Sequence, residues 1–251
     1  MSMFSAHKER IVTGLALLTG VLLVGFIDNF FLIWLLLGVI YTLAFKEAMK
    51  LFGIKKDKLL LYAIGVWLIA GIYHYRGDLF VLAGVAYAGA VAFNKELKWV
   101  NFLPFVYPTA GMLFILTMYD EYGVMSLLWL IATVALTDIG AYVVGKSIGK
   151  RPFCETSPNK TMEGVVGGVV VATVGGMFFA LPIVDLGVAF LITLAVAISS
   201  IFGDLFESSL KRQAGVKDSG DLLPGHGGVL DRIDGYLFGG IVMLVLLRGV
   251  V

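Results

Sequence analysis

The sequence predicts an all-α, polytopic transmembrane helical protein with about nine spans and a cytoplasmic N-terminus. Three observations lead to that class. Apolar residues make up 59% of the 251 and charged residues only 15%, where a soluble domain has roughly half and a quarter. Mean hydropathy is +0.93. The apolar residues fall in runs of about 15–20, the length that crosses a bilayer as helix.

The spans follow in order. Span 1 covers about Ile11–Ile27. It follows a basic start at Lys8 and Arg10, and no small-residue cleavage site comes after it, so it reads as a first span rather than a cleaved leader. Asp28 and Asn29 make a turn into span 2, Phe30–Phe45, and the basic stretch Lys46–Lys58 is expected as a loop on the membrane surface. Span 3 is Leu59–Tyr73 and span 4 Leu79–Phe93. Span 5, Phe102–Met118, has Pro104 and Pro108 near its start, where a helix best tolerates proline. Span 6 is Met125–Val144, span 7 Gly164–Ile183, span 8 Leu186–Phe206, and span 9 runs from Asp231 to the end. The expected division is residues 1–124, holding spans 1–5, and residues 125–251, a catalytic region of spans 6–9 with its polar loops.

The basic residues test the count. With the N-terminus inside, inner segments hold 17 of the 19 lysines and arginines, leaving only Arg76 and Arg248 outside. Cytoplasmic loops collect Lys and Arg, so the asymmetry supports both count and orientation. The two polar inner loops, 145–163 and 207–230, then place any active face on the cytoplasmic side of a bacterial-type inner membrane. A single cysteine, Cys154, excludes an intrachain disulfide and a cysteine-based zinc site.

The polar stretch Glu207–Asp234, ESSLKRQAGVKDSGDLLPGHGGVLDRID, mixes cations, carboxylates and small turn residues. That mixture suits phosphates and a divalent metal. Asp204 and Glu207 lie at i and i+3 near the inner end of span 8, and Asp231 and Asp234 at i and i+3 at the start of span 9. Each pair can share a helix face, and two helix ends presenting carboxylates could hold Mg²⁺, which takes one or two carboxylates plus substrate phosphates. An Asp at a helix N-terminus is also favoured by the dipole alone. Asp138 lies inside span 6, roughly 9 Å from its inner end; an intramembrane carboxylate faces a polar cavity or a partner, here a lysine in the plainer reading. Lys160, Lys211, Arg212, Lys217 and Arg232 can neutralise phosphates, or simply serve the inside-positive bias. His226 stands in PGHGG, where bare backbone allows close approach of a ligand; a lone loop histidine is more often inert. GAYVVGKS, Gly140–Ser147, spells a phosphate-loop motif. It continues a membrane helix instead of following a strand, so it is set aside. The glycines of spans 7 and 9 form small-residue faces that pack within one chain or between protomers; a homodimer is the expected assembly.

SxxKRxxxxKDxGxxxPGHGGxxDRxD, standing as Ser208/Ser209 through Asp234, resembles the signature of the phosphatidate cytidylyltransferases, also called CDP-diacylglycerol synthases. TDIGAYVVGKSIGKRPFCETSPNKTMEG, Thr137–Gly164, and FGDLFESSLKR, Phe202–Arg212, are similar to that family too. The resemblance covers roughly the last 115 residues. It implies Mg²⁺-dependent transfer of CMP from CTP to phosphatidic acid, giving CDP-diacylglycerol and pyrophosphate. Its implied metal ligands are Asp204 and Asp231, with Asp234 and Asp138 beside them. Lys211, Arg212, Lys217, His226 and Arg232 are the implied catalytic set around the phosphates, and Lys160, Ser209, Asp218 and Asp221 the substrate-binding set. Asp218 and Asp221 bind a second cation or orient their loop. The implied partners are CTP, phosphatidic acid and membrane lipids, with no nucleic acid. The competing readings are a CTP-dependent enzyme acting on an ether-lipid phosphate or a polyprenol, and a transporter using Asp138 as its coupling site. No inverted repeat is visible, and the polar weight lies on one side.

Overall fold

The computed structural model describes residues 19–250 except 56–57, 95–96 and 224–226. Among them the chain is helical, with two isolated bridges, Pro152 with Thr161 and Leu223 with Gly227, as its only strand-like pairing. The helices are α1 (19–27), α2 (Phe30–Leu51), α3 (Lys58–Ala70), α4 (Arg76–Phe93), α5 (Ala110–Tyr122), α6 (Val124–Ile148), α7 (Met162–Gly176), α8 (Leu186–Gln213) and α9 (Leu230–Val250). They take the nine expected spans in order. Among the described residues, seven segments are long and apolar enough to cross a membrane, and α3 is a shorter apolar helix. Residues 11–18 of the first expected span lie outside the described residues. Phe93 is 95% exposed, Phe26 91% and Leu61 68%. Large apolar side chains turned outward along helices whose backbone bonds are internally satisfied are what hydrocarbon requires.

The structure departs from the expected spans in two places. Lys46–Leu51 is not a surface loop but the last turns of α2, which closes at Phe52 and turns at Gly53 with φ +67°. Tyr41, Ala44, Phe45 and Ala48 are fully buried, so the apolar stripe at helical spacing runs past the basic residues and carries the helix with it. The fifth span is broken at its start. Tyr107, before Pro108, is extended (φ −141°, ψ 112°) and α5 begins only at Ala110. Proline lacks the N–H that a helix interior uses, and it pushes its predecessor out of the helical region.

The chain packs as two compact units. The first draws its described residues from Met1–Thr109 and Gln213–Ile233, the second from Ala110–Arg212 and Asp234–Val251. In the first unit Tyr41 stacks on Trp67 (5.1 Å) and hydrogen-bonds Thr109 (2.9 Å), while Phe45 meets Phe105 edge-on at 5.1 Å. Trp34 and Trp67 each donate their indole N–H to the other's carbonyl at 3.2 Å. Such reciprocal bonds satisfy polar groups that lipid would leave unpaired.

In the second unit α6 and α7 lie in backbone contact. A Cβ on Gly164 would sit 2.8 Å from the Ala141 carbonyl oxygen, and one on Gly140 would sit 3.0 Å from the Gly168 Cα. The α9 glycines do the same within the unit: Gly235 lies against Val134 and Ser200, and Gly239 against Leu130 and Val196. These small-residue faces are therefore used inside the chain. Trp129 donates to Thr193 (2.9 Å) in the same core, and Arg248 pairs with Glu121. GAYVVGKS is helical up to Ile148, which removes the phosphate-loop reading.

Candidate functional site

In the second unit the polar chemistry begins with the connection between α6 and α7. Phe153 N–H donates to the Lys160 carbonyl (2.7 Å) and Met162 N–H to the Arg151 carbonyl (2.9 Å). Glu163 accepts from the backbone N–H groups of Lys150 (3.1 Å) and Arg151 (3.2 Å), and Thr161 caps α7 by accepting from Gly164 N–H at 3.1 Å. A Thr N-cap and an acidic first turn are what a helix start favours. The connection is thereby closed on itself, and it delivers Lys160 to Asp204 of α8 as an ion pair. Ser208, one turn on, donates to the other Asp204 oxygen at 3.3 Å.

Asp204 and Glu207 do not act as a pair. Glu207 is fully buried and takes Lys211, four residues later, at 2.5 Å. Asp204 instead belongs with Asp138 and Asp234: both act electrostatically on Asp234, and Lys211 is the opposing cation. Gly235 N–H donates to Asp234 at 2.8 Å, and Tyr236 feels the charges of both Asp138 and Asp234. Asp138 lies ten residues before the end of α6, about 15 Å along the axis, because the helix runs on past the expected end of span 6 at Val144. It lies on the surface of the chain, and a carboxylate within a membrane helix needs a polar cavity or a partner there. The second unit thus gathers three carboxylates from α6, α8 and α9 with Lys160 and Lys211. Ser209 is half-buried and Arg212 exposed on α8.

In the first unit the segment after α8 folds around Asp231. Its Oδ2 accepts from the backbone N–H of Ser219 (2.9 Å), the Ser219 hydroxyl (2.9 Å) and the backbone N–H of Gly228 (2.8 Å). Glu47 of α2 completes the arrangement. Its Oε1 accepts from Val229 N–H (3.0 Å), and its Oε2 from Leu230 N–H (2.7 Å) and the Ser219 hydroxyl (3.0 Å). Lys217, Asp218, Asp221 and Arg232 stand exposed around this core. His226 lies outside the described residues.

Glu47 and Ser219 were missed in the sequence. Lys46–Lys58 read as a basic surface loop, and Ser219 as one turn residue among several. A signal existed for Glu47: it lies within the buried stripe of α2, beside Ala44 and Ala48, where a charge needs a partner.

Among the described residues, no group of three or more His, Cys, Asp or Glu side chains is assembled as a metal cage. Mg²⁺ does not require one, because it keeps waters and takes one or two carboxylates with substrate phosphates. The donor set of Asp138, Asp204 and Asp234 is all hard oxygen, and both Asp138 and Asp204 act electrostatically on Asp234, so these residues fit such an ion.

Residues 8–250 match the Cytidylyltransferase family. The chain is 40% identical over 244 residues to a phosphatidate cytidylyltransferase of Helicobacter pylori strain J99, covering 96% of this chain and 92% of that protein. It is 48% identical over 124 residues to a phosphatidate cytidylyltransferase of Bacillus subtilis, covering 47% of this chain and 46% of the relative. It is also 43% identical over 120 residues to a phosphatidate cytidylyltransferase of Synechocystis, covering 46% and 41%.

Proposed function

Because the chain belongs to the Cytidylyltransferase family, we infer that it transfers CMP from CTP to phosphatidic acid in the membrane, forming CDP-diacylglycerol and pyrophosphate. The observation that carries this is the end-to-end likeness, 96% of this chain against 92% of a phosphatidate cytidylyltransferase. The grouped carboxylates and lysines of the second unit give it a physical basis.

In the reaction a phosphate oxygen of phosphatidic acid forms a bond to the α-phosphorus of CTP. The bond from that phosphorus to the β-phosphate oxygen breaks, and pyrophosphate leaves with the electron pair. The nucleophile is already an anion, so no strong general base is needed. The difficulty is the approach of two polyanions. Asp204, Asp234 and Asp138 would hold Mg²⁺, which supplies positive charge to screen the phosphates and to stabilise the leaving group. Lys160 is held at this cluster by Asp204 and a closed loop, so its charge is in place before substrate arrives, which is how electrostatic stabilisation becomes effective. Lys211 is anchored by Glu207 in the same way. Arg212, Lys217 and Arg232 are proposed to meet phosphates from exposed positions. Asp231 as metal ligand, with His226, Ser209, Asp218 and Asp221, keeps the role the family resemblance implies.

The test uses purified protein in detergent with α-labelled CTP and phosphatidic acid, with and without Mg²⁺. Labelled lipid that needs both phosphatidic acid and Mg²⁺ is the expected result. Label on an ether-lipid phosphate or polyprenol instead would change the acceptor, and no labelled lipid from folded protein would overturn the reading.

The proposal also sets the polar loops on the cytoplasmic side of a bacterial inner membrane, supported by the lysine and arginine asymmetry. Cys154, the single cysteine, lies in the α6–α7 connection. A membrane-impermeant maleimide should therefore label it in inverted vesicles and spare it in intact cells; the reverse pattern would invert the topology. A homodimer is proposed as the assembly, and with the glycine faces of α7 and α9 used internally its contact would fall on other surfaces.

A further inference from the structure

We infer that Glu47 is a positioning residue for residues 217–223 and 227–231, acting through Ser219 and the first turn of α9 on Asp231. This rests on the cytidylyl-transfer reading for its catalytic consequence, and on geometry alone for its structural one.

Glu47 is 6% exposed. A carboxylate that deep is held in place only by hydrogen bonds, and all those described come from one stretch of chain. Two are from Val229 and Leu230, N–H groups at the start of α9 that no intrahelical carbonyl can serve. Negative charge there is also favoured by the helix dipole. Glu47 thus caps α9 from another helix, 183 residues away along the chain at Leu230.

The remaining bond is to the Ser219 hydroxyl, which also lies 2.9 Å from Asp231 Oδ2. A hydroxyl has one proton to donate, so Ser219 divides it between Glu47 and Asp231 and links the two carboxylates. The backbone closes around this link. A Cβ on Gly220 or on Gly228 would sit 2.5 Å from a Glu47 oxygen. A side chain at either of these two glycines would therefore force Glu47 or Ser219 to shift. Together these contacts set where Lys217, Asp218, Asp231 and Arg232 stand.

Nothing places Glu47 on substrate, so its effect should be one of geometry. Glu47→Gln keeps the volume but offers a single acceptor oxygen and turns an NH₂ toward a backbone donor. Two measurements on the full-length protein in detergent test it. Hydrogen–deuterium exchange should rise in 217–223 and 227–231 while α2, α3 and α4 keep their protection. The kcat for CMP transfer should fall about 10–100-fold, with KM for CTP within about threefold, as misplacement of reacting groups predicts. Ser219→Ala, which leaves the Glu47 bonds to α9 intact, should give a smaller change of the same pattern.

Wild-type protection together with wild-type kcat in Glu47→Gln would overturn the inference. So would loss of protection spread evenly through the first unit, which would make Glu47 an ordinary core residue. If Glu47→Gln does not fold, wild-type exchange and kcat in Ser219→Ala would overturn it. Should the wild-type protein transfer no CMP, the functional reading fails, and the exchange measurement still decides whether Glu47 positions the segment.

Discussion

Replacing Asp204 with asparagine should bring CMP transfer to background, a loss of at least about 10³-fold, at the upper end of what a single preorganised electrostatic contact supplies. Asparagine keeps the shape but offers a single acceptor oxygen, so it can serve only one of Lys160 and Ser208, which meet different Asp204 oxygens. What it removes is the charge that pairs with Lys160 and acts on Asp234. The side chains of Asp204 and Lys160 are 30% and 29% exposed, and pairs that reach water contribute little to stability. The variant should therefore remain folded, with the elution profile and thermal midpoint of the wild type, and be catalytically silent. Near-normal turnover would remove Asp204 from the ion site.

Lys211→Met should act first on stability. Glu207 has no exposed surface and Lys211 lies 2.5 Å away, in the Glu-before-Lys order that suits a helix. Taking one partner from a buried ion pair costs about 3–5 kcal/mol, because the other charge is left without it. A lower midpoint of thermal inactivation in detergent would register this. The double variant Lys211→Met, Glu207→Gln removes both charges and should recover most of the loss. Transfer should not recover with it, since Lys211 also opposes the charge of Asp234 and is proposed to handle phosphate. Recovery of both would reduce Lys211 to a structural ion pair.

The spans were legible because hydrocarbon runs and inside-positive charge are local signals. α2 and α5 show where such signals stop. Charge at Lys46 and Lys50 suggested a loop, while burial of the opposite face kept α2 helical to Leu51. Proline near a helix start suggested a tolerated kink, while Pro108 delayed the helix to Ala110.

The same limit governs the site. Glu207 with Lys211 follows from i,i+4 spacing. Lys160 with Asp204 spans 44 residues, and Glu47 with Ser219 spans 172. No periodicity reports contacts of that range, because they are set by which helices pack together. Asp204 and Glu207, grouped by their spacing, were separated by burial: one faces Lys160 and the other is sealed inside.

The bonds of Glu47 bear on how this chain can be dissected. A fragment beginning at Val124 would contain the whole recognisable polar signature and every residue expected to bind ion or nucleotide. It would lack the acceptor for the first N–H groups of α9 and the second carboxylate on Ser219. Grafting the signature onto a foreign set of N-terminal helices would fail for the same reason unless a carboxylate were supplied at the position of Glu47. The half of the sequence that resembles plain hydrocarbon is thus not an interchangeable anchor, and chimeras of this protein should exchange α2 and the 217–231 segment together.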